Sequence, residues 1–215
     1  MKAKIMSTNF KYKVKVLLRY FREKASAPRH QFFQDDLFVA EFPKSGVTWL
    51  TTMLACLEHG SETAKPPSFS SLSSYVSEEG VISSLSEYKT SSFGGRLIKT
   101  HSHWRPWHMR AVYLYRDPAR AIASYYNMSI AYDSIPKSTT PMDFAMGPYG
   151  VDLWLSNVRS WLYESSPAAT ICFVSYEDMI DDPVQTLLRI CNFFDAAIPP
   201  VSYTHLRAHE AREDL

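Results

Sequence analysis

The sequence holds no apolar run approaching the roughly 20 residues that a membrane-crossing helix needs. Cysteine is scarce: Cys56, Cys172 and Cys191 are the only three, and no two lie close together. That excludes a disulfide framework and a paired-thiolate zinc site, and it predicts buried free thiols in a reducing compartment. Net charge is nearly absent, at +1, so nothing global attracts nucleic acid and any polyanion site must be local. A secretory leader is not readable either. The apolar core near the N-terminus is only Val16-Leu17-Leu18, and no small-residue cleavage site follows. These absences predict a cytoplasmic chain.

What remains is ordinary globular composition. Of 215 residues, 46% are hydrophobic and 21% charged, enough for one domain with a full core and too apolar for disorder. Residues 1–36 form a basic segment. In it Phe10, Val14, Leu17, Leu18 and Phe21 fall at helical spacing. A basic amphipathic helix of this kind more often packs on its own domain, and otherwise makes peripheral contact with an anionic membrane.

The stretch that organises the chain is Leu37 to Leu50. Leu37 to Phe42 reads as a short strand, apolar except for Glu41 and stopped by Pro43. Trp49, Met53, Cys56 and Leu57 then give helical spacing up to His59-Gly60. Lys44, Ser45, Gly46 and Thr48 therefore stand at a helix start, where unpaired N–H groups and the positive end of the helix dipole hold anions. The nucleotide loop Gly-x4-Gly-Lys-Ser/Thr is not matched, because the lysine precedes the glycine and the first glycine is missing.

Further along, 61–95 is serine-rich and carries one helix-like stretch at 71–85; it reads as part of a lid on the acceptor side. Strands are expected at 96–101, 111–115 and 170–175. Helices are expected after Asp117-Pro118, through Leu153 to Leu162, and after Asp182-Pro183. The intervening 135–150 reads as a loop, and 131–150 as a second lid. Alternating strands and helices imply a parallel sheet with right-handed crossovers, hence a three-layer α/β/α domain over 37–200. Ligands in such sheets bind beyond the carboxyl ends of the strands, where Lys44-Ser45, Lys99-Thr100-His101, Arg116 and Tyr176 all fall. His101, His103 and His108 could suggest a metal, but no carboxylate or cysteine is near them in sequence, so no metal site is expected. Tyr125-Tyr126 and Trp154/Trp161 read as core, and Glu177-Asp178 equally as helix-start charges or site residues.

Four segments together carry a family resemblance. Pro43-Lys44-Ser45-Gly46-Val47-Thr48-Trp49 resembles the phosphosulfate loop of the sulfotransferases. Lys99-Thr100-His101 is similar to that family's Lys-Thr-His. Arg116-Asp117-Pro118, continued to Ser124-Tyr125-Tyr126, is similar to its 3′-phosphate segment, and Tyr176-Glu177-Asp178 to its Tyr-Glu-Asp segment. The resemblance implies a core like that of P-loop nucleoside triphosphate hydrolases. It also implies the cosubstrate 3′-phosphoadenosine-5′-phosphosulfate (PAPS) and sulfuryl transfer to an acceptor hydroxyl or amine. By the same resemblance, Lys44, Ser45, Gly46, Val47, Thr48 and Trp49 hold the phosphosulfate and adenine side. Val47 stands where Thr or Ser is commoner and would donate its backbone N–H. Arg116 and Ser124 hold the 3′-phosphate and Tyr176 lies near the adenine. His101 is the base, and Lys44 with Lys99 stabilises the leaving group. No metal is needed, since the transferred group carries less charge than a γ-phosphate.

The acceptor, a small molecule, lipid or glycan, is left open by the sequence, as is the oligomeric state. Two other readings stand beside this one: a P-loop-type small-molecule kinase, and an inactive nucleotide-binding remnant. The family's Arg-Lys-Gly and Gly-x-Trp-Lys segments have no counterpart here. Residues 201–215 are polar without an apolar face, and read as a non-native tail on a truncated domain.

Overall fold

β1 (Leu37–Glu41) is buried at every position, as befits the central strand of a sheet covered on both faces. It belongs to a computed structural model that describes residues 32–59, 67, 69–79 and 91–196. Among these the chain forms α1 (Val47–His59), a 3-10 helix (Phe69–Ser74), β2 (Val76–Glu78), β3 (Leu97–Thr100), β4 (Arg110–Tyr115), α2 (Pro118–Ala131) and α3 (Pro141–Ala145). α4 (Val151–Leu162), β5 (Thr170–Ser175), α5 (Tyr176–Asp181) and α6 (Pro183–Phe193) complete it. The sheet order is β2-β3-β1-β4-β5, and all four pairings are parallel, with Val39 opposite Lys99 on one side and Val112 on the other.

Alternation along β1 builds the three layers. Leu37 and Val39 join Leu50, Leu54, Leu187 and Ile190 on the face covered by α1 and α6. Phe38 and Ala40 join Ile98, Tyr113 and Trp161 on the opposite face, under α4. A third cluster around Phe42, Ile122, Ile135 and Phe144 ties α2 and α3 to the loop after β1. The expected three-layer parallel fold is thus present.

Helix starts follow local chemistry. Asp117 accepts the Arg120 N–H at 2.8 Å ahead of Pro118, and Asp182 accepts that of Gln185 at 3.0 Å ahead of Pro183.

Several expectations need correction. The helix expected over 71–85 is instead the 3-10 helix and the edge strand β2, with 80–90 outside the described residues. Serine hydroxyls compete for the backbone and make Ser71 and Ser73-Ser74 poor helix interior, while Val76 and Ser77 are both buried beside β3. The loop at 135–150 contains α3, started by a capping box between Thr140 and Asp143. Tyr176-Glu177-Asp178 opens α5, whose first N–H groups include one donated by Asp178 to Ser175 Oγ. Only Cys191 is fully buried; Cys56 and Cys172 are half-buried, and all three are free thiols.

Residues 32–36 already pack on the domain. Phe32 stacks on Trp107, and buried Asp36 takes a bidentate pair from Arg96 at 2.6 Å. The basic helix expected near the N-terminus and the tail at 201–215 lie outside the described residues.

Candidate active site

The turn after β1 is unusual in its backbone. Lys44 has φ 74° and Gly46 φ 108°, both in the left-handed region. The first bond of α1 runs from the Leu50 N–H to Gly46 O, so Gly46 to Trp49 form the helix start that the sequence predicts. The strands beside β1 end level with it. Lys99 and His101 arrive from β3, Arg116 from β4, and Tyr176 from β5. Ser124 comes from the second turn of α2.

A cavity of about 560 Å³ collects them. Lys44, Gly46, Val47, Thr48 and Trp49 line it, together with Lys99, His101, Arg116, Ser124 and Tyr176. Of the predicted site residues only Ser45 does not. It is fully buried, and its Oγ has no hydrogen-bond partner among the described residues. Tyr125, Met128, Ser129, Ser134, Ile135 and Tyr149 make the remaining wall. The lid expected at 131–150 thus contributes three of these, whereas no described residue of 61–95 reaches the cavity. Tyr125 has two surroundings: it lines the cavity and also packs on Phe42 and Phe144 in the core, whereas Trp161 is wholly core.

The polar groups are engaged as follows. Arg116 Nη1 donates to Lys44 O at 3.3 Å, and its guanidinium carbon lies 4.2 Å from the centre of the Tyr176 ring. Arg116 Nε is buried with no partner among the described residues. Lys99 Nζ pairs with Glu78 at 3.1 Å, a half-exposed contact of small energy. Glu177 accepts the Asp117 N–H at 3.3 Å, and Asp178 lies 3.4 Å from Arg189, so both serve as helix-start charges.

Glu41 is the residue that sequence reasoning missed. Its Oε2 accepts the Val47 N–H at 2.8 Å and its Oε1 the Lys44 N–H at 3.2 Å. His101 Nδ1 lies 3.4 Å from the same Oε1. Burial pushes the carboxyl up to about 7, against the opposing pull of those two N–H groups and of the Lys99 and Lys44 charges. Its one sequence signal is a carboxylate inside an otherwise apolar strand. The Val47 N–H, expected to face an anion, donates to Glu41 in this structure.

Among the described residues no three His, Cys, Asp or Glu side chains cluster as ligands. The fold does bring a carboxylate to His108: Glu79 accepts from His108 at 3.2 Å, Trp107 at 3.0 Å, Ser102 at 3.0 Å and from Thr100.

A parallel sheet with an anion-type loop between its first strand and helix defines the class, an α/β domain with the fold of P-loop nucleoside triphosphate hydrolases. The model of one family, the sulfotransferase domain, matches residues 34–211, and the chain belongs to that family. It is 26% identical to Sulfotransferase 1E1 of Mus musculus over 179 residues, covering 75% of this chain and 59% of that protein. With Sulfotransferase 1A1 of Rattus norvegicus it shares 24% over 200 residues, covering 85% and 68%. The chain thus spans about three-fifths of the length of the first of these relatives. Among solved structures it is similar to mouse sulfotransferase SULT7A1 complexed with PAP, at TM-score 0.59 and 20% identity over 82% of this chain and 64% of that one. It is likewise similar to retinol dehydratase complexed with retinol and PAP, at TM-score 0.59 and 19% identity with the same coverage. These likenesses show the fold. Family membership counts against the kinase alternative.

Proposed function

We propose that this chain supplies the nucleotide-holding and catalytic part of a sulfotransferase that moves the sulfuryl group of PAPS to a hydroxyl or amine of a small acceptor, in the cytoplasm. The observation that carries this reading is one cavity lined by Lys44, Lys99, His101, Arg116 and Ser124 at the carboxyl ends of a parallel sheet. Arg116 Nε in that cavity is buried without a partner among the described residues, as is Ser45 Oγ in the adjoining loop, which suits a phosphate-bearing guest. The three free thiols support a reducing compartment.

PAPS would bring the sulfuryl group and its leaving oxygen; the chain's own residues do the rest. Thr48, Trp49 and the Gly46 backbone would hold the phosphosulfate end, Arg116 and Ser124 the 3′-phosphate, and Tyr176 the adenine side. Lys44 and Lys99 place positive charge where the leaving oxygen becomes negative. His101 accepts the acceptor's proton, the general-base role for which an imidazole is suited. Positioning and electrostatics suffice, as in phosphoryl transfer. Tyr125, Met128, Ile135 and Tyr149 give the acceptor side an apolar, aromatic wall, which favours a flat hydroxylic compound over a glycan.

Calorimetry of the full chain with adenosine 3′,5′-bisphosphate and with ATP tests the nucleotide, and turnover of sulfur-labelled PAPS over a panel of phenols, sterols and sugars tests the reaction. Preference for the bisphosphate and label transfer to an apolar hydroxyl are expected. A preference for ATP overturns the reading. Bisphosphate binding without transfer to any acceptor reduces the chain to a nucleotide-binding remnant.

A further inference from the structure

Glu41 stands where the anion loop and the histidine meet, and nothing in the roles assigned above accounts for it. It ends the central strand and is only 2% exposed. An aliphatic residue would satisfy that position, whereas a buried carboxylate carries a desolvation penalty. Its two oxygens take the N–H groups of Val47 and Lys44, part of the donor set that a helix start offers to an anion. The oxygen bound by Lys44 N–H is also the one facing His101 Nδ1.

We propose that Glu41 is a positioning residue that links the anion loop to His101, and that seating a phosphate-bearing nucleotide in the loop draws one proton onto the Glu41–His101 pair. The proposal rests on the sulfotransferase reading for the identity of the nucleotide. Its physical basis is like-charge exclusion: a phosphate entering beside a shielded carboxylate leaves two anions in one poorly solvated site, and one of them is relieved by protonation. The proton comes from solvent, and no bond between heavy atoms changes. Once protonated, Glu41 holds the Val47 and Lys44 N–H groups less strongly, and they become available to the incoming anion.

The groups facing Glu41 decide whether this happens at ordinary pH. Lys44 on the loop and Lys99 on β3 favour the carboxylate. His101, just past β3, favours it when charged. Tyr113 on β4 is kept neutral, because burial and then the charge of Glu41 push its phenol up, and its hydroxyl donates to Asn157 at 2.7 Å. Burial opposes the two lysines and leaves the carboxyl poised near neutrality. With His101 Nδ1 at 3.4 Å, a proton taken up there belongs to the pair and not to either group alone.

The test has two arms. In the first, adenosine 3′,5′-bisphosphate is titrated into the full chain by calorimetry at about pH 7–9, where its phosphates are already fully ionised, in buffers of different ionisation enthalpy. The parent should take up close to one proton and lose about tenfold in affinity per pH unit across its titration. Glu41→Gln should bind with affinity nearly flat over that range. In the second arm, which needs no nucleotide, the ring of labelled His101 is titrated by NMR and assigned by its loss in His101→Gln. Glu41→Gln should lower the His101 midpoint by about half a unit or more, since a neighbouring carboxylate favours imidazolium. Proton uptake that Glu41→Gln leaves unchanged, or a His101 midpoint that does not move, overturns the proposal. Failure of the parent to bind either nucleotide refutes the sulfotransferase reading and the uptake step with it, while the His101 midpoint still decides the link between the two residues.

Discussion

The Tyr176 ring lies where Gly46 would carry a side chain: a β-carbon built on that glycine falls 2.5 Å from Tyr176 Cδ2 and 2.8 Å from Cε2. The same ring meets Trp49 edge-on at 5.8 Å and carries the Arg116 guanidinium on its face. One tyrosine at the start of α5 therefore sets the positions of the loop, the first turn of α1 and the end of β4.

Gly46→Ala should accordingly disturb the loop for two separate reasons, the clash with a ring held on both sides and the φ of 108°. A non-glycine residue in that backbone region is strained by about 1–3 kcal/mol before any clash is counted. The melting temperature should fall and affinity for adenosine 3′,5′-bisphosphate should fall with it. A variant that melts and binds like the parent would show that the loop has another accessible conformation.

Much of this arrangement was legible in the sequence. β1, β4 and β5 announce themselves as apolar runs, and Asp117-Pro118 and Asp182-Pro183 mark helix starts that local hydrogen bonds then make. The site loop was readable because its chemistry is local, a glycine and hydroxyls at a helix start. What was not readable depends on partners far apart along the chain. Glu41 looks like an interruption in a strand until β3 sets His101 beside it. Glu79 and His108 are 29 residues apart and meet only because β2 pairs with β3. β2 itself is three residues long, too short for alternation to show. α3 was hidden because its capping box lies in a stretch that Pro136, Pro141 and Gly147 make look like a loop.

Lys44→Ala should reduce turnover far more than nucleotide affinity. Its charge matters most as the leaving oxygen becomes negative, so the loss falls on the transition state. A drop in kcat of about 10²-fold, with Kd for the bisphosphate within a few-fold, is the expected pattern. Equal losses in both would make Lys44 a ground-state binding residue.

Arg116→Ala should do the reverse. Its Nε is buried and its guanidinium carbon lies 4.2 Å over the Tyr176 ring, so a phosphate it contacts is partly shielded. Bisphosphate binding should weaken by roughly 2–4 kcal/mol, and most of the discrimination between 3′-phosphorylated and plain nucleotide should go. Competition calorimetry of the two nucleotides checks this; a variant that keeps the parent's preference removes Arg116 from the 3′-phosphate site.

Glu79 and Glu41 should give stability opposite slopes with pH. For Glu79, burial by itself would raise the carboxyl. The His108 hydrogen bond and charge, with the Thr100 and Trp107 donors, outweigh it and hold the group at about 2, against 4.5 for an unperturbed glutamate. Stability from Glu79 is therefore present above pH 4.5 and lost as the pH falls through 2, with a full amplitude on the order of 3 kcal/mol. Glu41 is raised from 4.5 to about 7, so its contribution is present below pH 4.5 and lost as the pH rises through 7. Urea unfolding across this range should show the gap between parent and Glu79→Gln narrowing toward acid. Glu41→Gln should match or exceed the parent above pH 7 and lose that advantage as the pH drops. A Glu79→Gln gap that stays constant from neutrality to acid would mean that its carboxylate is not held ionised by His108, and that the network is sustained by shape alone.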